Sequence, residues 1–220
     1  MYLYFDIETV PGPIKPTIEE VMALAPKSMT KEDTIRKWAE ENVETVYRKQ
    51  ALDSMQGEIC CIGLAFDDER PTTFVGPETM VIEHAATMID FRMSKYGSMR
   101  PIWVGHNARA FDLPWLWRKA LKYRHYELAQ RIPRERYSKD VEDTMEMWST
   151  DYKDYVSLDA VAKFLGVGGK SGHGSQVYDL WRTGRHQEIA DYCADDVELV
   201  RRVHKVLTMQ STEQMDVINF

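Results

Sequence analysis

The feature that most constrains this fold is the order in which short apolar runs and helical patterns follow one another along the chain. Apolar runs of strand length occupy residues 2–7, 58–66, 72–75 and 101–105. Helical periodicity covers residues 78–96, 111–130, 158–165 and 187–209. Strands that are followed by and interleaved with helices predict an α/β fold in which helices flank a mixed central sheet.

Between the first two predicted strands lies a polar stretch with helical patterns of its own. The first strand stops at Pro11-Gly12-Pro13, which is a strong turn signal. Two helical patterns follow, over residues 17–24 and 34–52. With 220 residues and 44% hydrophobic content, the chain is long enough to bury one substantial core. We therefore expect a single domain, residues 1–210, with a helical insertion at 13–54 and a tail at 211–220.

The composition indicates a reducing compartment and no membrane segment. The three cysteines, Cys60, Cys61 and Cys193, form no CxxC pair, and without a cysteine–histidine cluster a structural zinc site is not expected. The sequence shows no secretory signal and no apolar run of about 18 residues. The cytoplasm is therefore the default location, and no membrane partner is expected.

Charge is distributed unevenly along the chain. The net charge is −7, which by itself argues against nucleic-acid binding. Residues 101–139 contain nine Lys/Arg against three Asp/Glu, a net of +6, whereas residues 140–200 contain thirteen Asp/Glu against five Lys/Arg, a net of −8. The basic stretch from Arg118 to Lys139 is either a solvated helix face or a surface that contacts phosphates.

Two carboxylates stand two residues apart in the first predicted strand. Asp6 and Glu8 therefore point to the same face, among apolar neighbours such as Phe5 and Ile7. Carboxylates that are buried side by side repel each other and lose hydration, so they stay ionised only with positive charge between them. A hard divalent cation such as Mg²⁺ meets that need. The alternative is a strand end that lies in solvent.

Further acidic residues follow later in the chain. Asp112 comes after the strand at 101–105 and begins a helix, where an aspartate is also an ordinary N-cap. In the last helix Tyr192 and Asp196 are four residues apart, so they share a face beside the apolar stripe. A tyrosine and a carboxylate beside an apolar stripe are expected to have polar binding partners.

Taken in this order, the motifs resemble those of the DEDD exonuclease superfamily, whose members have a ribonuclease-H-like fold. Phe5-Asp6-Ile7-Glu8-Thr9 resembles the Exo I motif, Asn107-Ala108-Arg109-Ala110-Phe111-Asp112 resembles Exo II, and Tyr192-Cys193-Ala194-Asp195-Asp196 resembles Exo III. A tyrosine four residues before the last aspartate is typical of the tyrosine subclass. The chain is most similar to stand-alone exonucleases related to the proofreading domain of family B DNA polymerases, and the likeness includes residues 141–145 and 157–181.

This resemblance implies a 3'→5' exonuclease that releases nucleoside monophosphates from single-stranded or frayed DNA with the help of two Mg²⁺ or Mn²⁺ ions. The implied metal ligands are Asp6, Glu8, Asp112 and Asp196. Asp6 would be shared by both ions, Glu8 and Asp196 would serve the ion that activates water, and Asp112 would act mainly through the other. Tyr192 would orient the attacking water, because an ordinary pKa near ~10 makes it a poor base at neutral pH.

The resemblance also implies contacts with the terminal nucleotide at Thr9, Asn107 and Phe111, although Phe111 suits core packing equally well. A glycine-rich loop over residues 166–174 is not a P-loop, since it lacks the first glycine and follows a helix. Similar loops occur in the polymerase-related exonucleases, so we interpret Lys170 as a substrate-binding residue. His106 and His204 are interpreted as structural residues, and Asp159 as a helix-surface charge. Asp143 is interpreted as the acceptor of a loop hydrogen bond, and it could also support the metal site.

Other functions stay open at this point. The same fold can act on RNA, because nothing in the motifs recognises the sugar. The chain can also be a non-catalytic nucleic-acid-binding module of a replication or recombination assembly, although all four carboxylates and Tyr192 are intact. Transposase or resolvase chemistry would require a different order of acids. A polymerase or replication partner in trans is possible, since no polymerase region follows residue 210, and the oligomeric state stays open.

Overall fold

The chain forms two compact units. The computed structural model describes residues 1–95, 100–149, 155–170, 172 and 174–210. The first unit consists of Met1–Glu8 and Ile59–Phe220, and the second of Thr9–Glu58. The expected insertion at 13–54 falls within the second unit, whereas the expected tail at 211–220 lies outside the described residues.

The second unit is a helical pair. Its helices are α1 (Ile18–Met22) and α2 (Glu32–Lys49), and a 3-10 turn over Gln50–Leu52 follows. Thr17 and Glu20 close the start of α1 with a reciprocal capping box. The hydroxyl of Tyr47 donates to the carbonyl of Gly12 at 2.9 Å, which ties α2 to the start of the unit. Both helices lie where the sequence predicts helical patterns.

The first unit is built on a five-stranded sheet. Its strands are β1 (Tyr2–Val10), β2 (Glu58–Phe66), β3 (Thr72–Val75), β4 (Ile102–Gly105) and β5 (Val141–Asp143), in the spatial order β3-β2-β1-β4-β5. β1 is parallel to β4 and β4 is parallel to β5, whereas β2 and β3 are antiparallel. The sheet is therefore mixed, as predicted, and with its flanking helices it has a ribonuclease-H-like fold.

Helices accompany the strands through the rest of the first unit. They are α3 (Glu78–Lys95), α4 (Asp112–Lys122), α5 (Tyr126–Arg131), α6 (Thr144–Trp148), α7 (Leu158–Phe164), α8 (Val177–Arg182) and α9 (His186–Leu207). Within the described ranges, none of the helices combines the length and the apolar character that crossing a membrane requires.

Alternation along β1 sends its side chains into two different cores. Leu3 and Phe5 belong to a core that α3 and α4 complete, whereas Tyr4 belongs to a core with α7 and α9. Asp6 and Glu8 share the pleat face of Tyr4. The two carboxylates therefore continue the α9 side of the sheet.

A glycine in β2 permits α9 to pack close to the sheet. A Cβ atom at Gly63 would lie 2.8 Å from Val197 Cγ2 and 2.9 Å from Cys193 Sγ, both on α9. A larger residue would push the helix outward, because real Cβ atoms do not approach other atoms so closely. Cys193 Sγ also lies 3.6 Å from the carbonyl oxygen of Asp6, so the middle of α9 contacts the strand that carries Asp6 and Glu8.

Parts of the helical layer differ from the sequence prediction. The single helix predicted over residues 111–130 is wrong, because α4 and α5 are separate and Arg124 between them adopts a φ of +62°. Both helices bury apolar residues, so the apolar periodicity continues across residues 123–125 and does not reveal that the helix ends there. β5, α6 and α8 escape prediction because elements of three to six residues are too short to show a period.

A buried ion cluster, called here the Glu78 cluster, joins α3 to α4; its members are Glu78, Lys119, Lys122 and Tyr123. The Glu78 carboxylate lies 3.0 Å from Lys119 Nζ and 2.9 Å from Lys122 Nζ. It also accepts hydrogen bonds from the Tyr123 hydroxyl at 2.6 Å and from Ile59 N at 2.7 Å. Burial pushes the pKa of Glu78 upward, but these donors, Tyr123 first, outweigh it and hold the pKa below its ordinary value.

Candidate active site

Three carboxylates converge on the α9 side of the sheet. Oxygen atoms of Asp6, Glu8 and Asp196 all lie within 4.8 Å of one another. β1 supplies the first two and α9 supplies the third. Glu8 is 8% exposed and Asp196 is 2% exposed, so water cannot hydrate their charges fully. A compact set of carboxylate oxygens is the ligand chemistry that hard divalent cations prefer.

Asp112 is held directly against β1. It is the first residue of α4, and its Oδ1 accepts a hydrogen bond from the backbone N–H of Ile7 at 3.2 Å. The N-cap of α4 is Phe111, so the alternative reading of Asp112 as the N-cap is wrong. Asp112 is not one of the three acids within 4.8 Å of one another. We call these three acids together with Asp112 the carboxylate cluster.

Burial raises the pKa values of the carboxylate cluster. The pKa of Asp6 lies well above its ordinary value because of burial and then because of the neighbouring charge of Glu8. Burial, followed by the charge of Asp196, raises the pKa of Glu8 to about 8. Burial also raises the pKa of Asp112 to about 7. The cluster therefore needs additional positive charge before all its members ionise at neutral pH.

Lys170 brings one positive charge to the cluster. Its Nζ lies 2.5 Å from Asp196 Oδ2 and donates to the Tyr192 hydroxyl at 3.2 Å. Burial lowers the pKa of Lys170, but the charge of Asp196, its hydrogen bond and the neighbouring groups Tyr192 and Asp6 together outweigh burial, so the net pKa is raised. Burial and the charge of Asp196 also raise the pKa of Tyr192, which keeps its hydroxyl protonated. One ammonium group cannot balance four carboxylates.

The glycine-rich loop that carries Lys170 is anchored by a residue whose role the sequence does not reveal. Asp159 Oδ1 accepts a hydrogen bond from the backbone N–H of Lys170 at 2.9 Å, and Asp159 Oδ2 lies 2.7 Å from Lys163 Nζ. Asp159 is a partly exposed helix charge, as interpreted from the sequence, and its bond to the Lys170 backbone is an additional role. The two residues are 11 apart in sequence, and no local pattern predicts such a contact between a helix and a loop.

A second acidic anchor holds the loop that leads to Asp112. Asp143 Oδ1 accepts hydrogen bonds from the N–H of Asn107 at 2.8 Å and of Met145 at 3.0 Å, and its Oδ2 accepts from the N–H of Arg109 at 3.0 Å. Asn107 adopts a left-handed φ of +59°, which asparagine tolerates better than most residues. The predicted loop bond of Asp143 is confirmed, and the bond fixes the backbone around Asn107.

The two histidines predicted to be structural are engaged within the chain. His106 contacts Thr144 Oγ1 at 2.9 Å and the carbonyl of Val156 at 2.8 Å through its two ring nitrogens. His204 is fully buried between the Tyr4 hydroxyl at 3.0 Å and the Glu142 carboxylate at 2.5 Å. Neither ring therefore belongs to the carboxylate cluster.

The residues predicted to contact substrate lie in different surroundings. Thr9 belongs to the second unit, where its hydroxyl donates to the carbonyl of Ala51 at 2.6 Å. Phe111 is half-buried, packs against the apolar core and lies 5.6 Å from the ring of Trp115. Asn107 and Lys170 are both in the first unit, Lys170 in contact with Asp196. The structure thus brings Lys170 into contact with the carboxylate cluster.

Comparisons with known proteins place the chain in a family. Residues 57–201 match a family described as "Predicted 3'-5' exonuclease related to the exonuclease domain of PolB". The fold is similar to that of the family B DNA polymerase from the hyperthermophilic archaeon Pyrobaculum calidifontis, with a TM-score of 0.55 and 17% sequence identity. That match covers 94% of this chain and 24% of the polymerase chain, so this chain spans about a quarter of the polymerase's length. Among curated proteins, none matches the sequence significantly.

The matched segment contains Asp112, Lys170, Tyr192 and Asp196, and the structural similarity extends over nearly the whole chain. The family match covers well over half of the sequence, and the expected resemblance to polymerase-related exonucleases is confirmed. This chain belongs to the family of predicted 3'-5' exonucleases related to the exonuclease domain of family B DNA polymerases.

Proposed function

We propose that this protein hydrolyses the terminal phosphodiester bond at the 3' end of DNA with two divalent metal ions and releases nucleoside monophosphates. The observation that carries the proposal is the convergence of Asp6, Glu8 and Asp196 within 4.8 Å. Burial, more than any other cause, raises the pKa of each of these acids, and added positive charge would allow them to ionise together. A structural role alone gives no reason to bury so many carboxylates together.

The donor set fits Mg²⁺ or Mn²⁺ well. Asp6, Glu8, Asp112 and Asp196 offer only hard oxygen ligands, and cations of this kind prefer such ligands. When bound, two such ions supply a hydroxide nucleophile at neutral pH and stabilise the charge on the leaving 3' oxygen. The carboxylates would hold the ions, and the Ile7 N–H fixes the Asp112 carboxylate against β1.

Tyr192 and Lys170 act beside the metal ligands. The raised pKa of Tyr192 keeps the phenol protonated, so it orients the attacking water by a hydrogen bond and does not act as a base. Lys170 lies 2.5 Å from Asp196 and presents its ammonium group to the same space. We assign Lys170 to the phosphate of the bound substrate, which attracts an ammonium group as a point charge.

The proposed substrate rests on two kinds of support, the residues near the site and the relation to a polymerase family. Asn107, Phe111 and Thr9 are proposed to contact the terminal nucleotide, and relation to a DNA polymerase favours DNA over RNA. We further propose that residues 1–210 act as one functional domain carrying the 13–54 insertion. A polymerase in trans is a fitting partner, and three free buried cysteines suit the cytoplasm.

A nuclease assay tests this proposal. Purified protein is incubated with Mg²⁺ or Mn²⁺ and with DNA or RNA strands of identical sequence, single-stranded or duplex, each labelled at the 3' end. We expect labelled mononucleotide as the first product, faster from DNA, and no product after chelation of the metal. Protein that is inert on every strand with Mn²⁺ present would contradict the catalytic proposal and favour a non-catalytic binding module. Faster release from RNA would replace DNA as the substrate.

A further inference from the structure

The segment that follows α7 carries Lys170, and its backbone is attached at two points before the lysine side chain begins. The N–H of Val167 donates to the carbonyl of Ala162 at 3.0 Å, and the Val167 side chain is buried in the core shared by α7 and α9. Gly168 then adopts a φ of +122°, which glycine tolerates far better than other residues. The second attachment is the hydrogen bond from the Lys170 N–H to Asp159 Oδ1 at 2.9 Å.

The acceptor of that second bond belongs to a helix that is fixed to the core. Asp159 lies in the first turn of α7, next to the buried Leu158 and close to the buried Val161. The hydroxyl of Ser157 caps the same turn by accepting from the N–H of Ala160 at 3.3 Å. A group on a packed helix holds its partners more accurately than a group on a loop. Asp159 is therefore a firm support for the segment that carries Lys170.

The segment passes close to Asp159 just before Lys170. A Cβ atom at Gly169 would lie 3.1 Å from Asp159 Oδ1 and 3.0 Å from Lys163 Cε. Asp159 Oδ2 pairs with Lys163 Nζ at 2.7 Å, but the lysine side chain is 66% exposed, and exposed pairs of this kind contribute little to stability. Of these two contacts, the bond to the backbone is thus the one that can place Lys170.

The Lys170 side chain turns the position of this backbone into the position of a charge. Its Nζ lies 2.5 Å from Asp196 Oδ2 and donates to the Tyr192 hydroxyl at 3.2 Å. Further along the segment, a Cβ atom at Gly172 would lie 3.3 Å from Tyr192 Cδ2, so the chain stays close to the tyrosine. A lysine stem is flexible, so the place of its ammonium group depends on where the backbone holds its Cα atom.

We propose that Asp159 is a positioning residue for hydrolysis and acts through Lys170. By holding the Lys170 backbone, it places the ammonium group beside Asp196, where the lysine meets the substrate phosphate. The proposal rests on the proposed function, in which Lys170 contacts that phosphate. A displacement of about 1 Å in a group that positions substrate can slow a reaction by about a hundredfold, so a contact outside the cluster can matter for the rate.

A set of variants separates this role from a purely structural one. Asp159→Ala removes the acceptor, whereas Asp159→Asn keeps a side-chain oxygen that can accept from the Lys170 N–H. The matched control is Lys163→Ala, which breaks the ion pair of Asp159 and leaves the acceptor in place. Lys170→Ala and the D159A/K170A double variant complete a double-mutant cycle. Turnover is measured with Mg²⁺ on a 3'-labelled single strand of DNA, and thermal unfolding verifies that each variant folds.

We expect Asp159→Ala to lower turnover by about tenfold while Lys170 is present, because the ammonium group is displaced. In the Lys170→Ala background the same change should lower turnover by less than about twofold, since the group that Asp159 positions is already gone. Asp159→Asn and Lys163→Ala should stay within about threefold of wild type. A residue that merely stabilises α7 would instead slow the reaction equally in both backgrounds.

Hydrogen exchange of the Lys170 amide tests the bond without catalysis. Protein labelled with ¹⁵N-lysine is followed by NMR in EDTA, and the signal that is missing from Lys170→Ala identifies the residue. The amide should be protected in wild type and in Lys163→Ala, because its N–H is bonded to Asp159. In Asp159→Ala it should exchange at least about tenfold faster, and Asp159→Asn should restore most of the protection.

A full rate in Asp159→Ala would overturn the proposal, as would an equal loss of rate with and without Lys170. An amide that exchanges equally slowly in wild type and Asp159→Ala would also overturn it. The proposed function fails separately: a wild type that is inert on every strand refutes it, and the exchange measurement then decides whether Asp159 positions Lys170. An active enzyme whose rate does not depend on Asp159 refutes the positioning role alone.

Discussion

Two buried acidic sites in the first unit are balanced in opposite ways. In the Glu78 cluster one carboxylate faces two lysines and a tyrosine hydroxyl, and its pKa is lowered. In the carboxylate cluster four acids face Lys170, and their pKa values are raised. The first site is balanced within the chain, whereas the second has four acids against the single ammonium group of Lys170.

This difference separates a structural site from a functional one by charge balance. A buried ion group that its own chain neutralises supports folding, and breaking it costs stability. A buried group that its own chain leaves short of positive charge costs stability and gains binding capacity. Loss of a member should therefore affect stability in one site and activity in the other, and the following changes test that contrast.

The largest effect is expected for Asp6→Asn. Loss of this ligand removes several kcal/mol of transition-state stabilisation, so 3'-end hydrolysis should fall by at least about a thousandfold. Without metal the variant should be more stable than wild type by about 1–2 kcal/mol, because one repelling carboxylate is gone. Nuclease assays and urea unfolding in EDTA measure both. A variant that loses stability together with activity would contradict the proposed difference between the two sites.

The second largest effect is expected for Glu78→Gln, which changes the Glu78 cluster. It leaves the buried Lys119 ammonium without its carboxylate, and breaking a buried pair in this way costs about 3–5 kcal/mol. The urea midpoint should fall accordingly, while the rate of hydrolysis per folded molecule should match wild type below the unfolding transition. Unchanged stability would mean that the Glu78 cluster contributes nothing to the fold.

Tyr192→Phe should have a smaller effect on catalysis than Asp6→Asn. The substitution removes the hydroxyl that accepts from Lys170 and orients water, but it leaves every carboxylate in place. We expect turnover to fall about tenfold to a hundredfold with little change in metal affinity. Steady-state kinetics and a Mn²⁺ titration separate the two parameters. A loss as large as that of Asp6→Asn would give Tyr192 a role beyond orientation.

The smallest effect is a difference in acid sensitivity. Because the folded pKa of Glu78 lies below its ordinary value of 4.5, its contribution to stability is present above that value and is lost as the pH falls through the folded pKa. Wild type should therefore lose its stability advantage over Glu78→Gln between pH 4.5 and more acidic conditions. Urea unfolding of both proteins across this range measures the difference; a constant gap would contradict the lowered pKa.

Local patterns predict much of the fold and of the candidate site. A period of two places Asp6 and Glu8 on one face of β1, and a spacing of four places Tyr192 and Asp196 on one face of α9. Both patterns depend only on residues that are neighbours in sequence. The short elements β5, α6 and α8 escape the same reasoning, because three to six residues are too few to establish a period. The break at Arg124 escapes it because apolar residues continue on both sides.

Contacts between distant residues are beyond such patterns. Lys170 and Asp196 are 26 residues apart, Asp143 and Asn107 are 36 apart, and Glu78 and Lys119 meet across two helices. The choice among the basic residues of the 118–139 stretch is of the same kind. Lys119 and Lys122 on α4 pair with Glu78 on α3 because the two helices pack together.

The sequence by itself determined the α/β order, the acids on β1 and α9 and the family resemblance. Each of these depends only on the spacing of residues that are close together in the chain. Only the tertiary structure decided which charges are balanced. Ionisation of a buried group depends on every charge within a few ångströms and on the water that packing excludes, and those neighbours come from segments far apart in the chain. The closeness of α9 to β2 at Gly63 is what turns separate acids into one cluster.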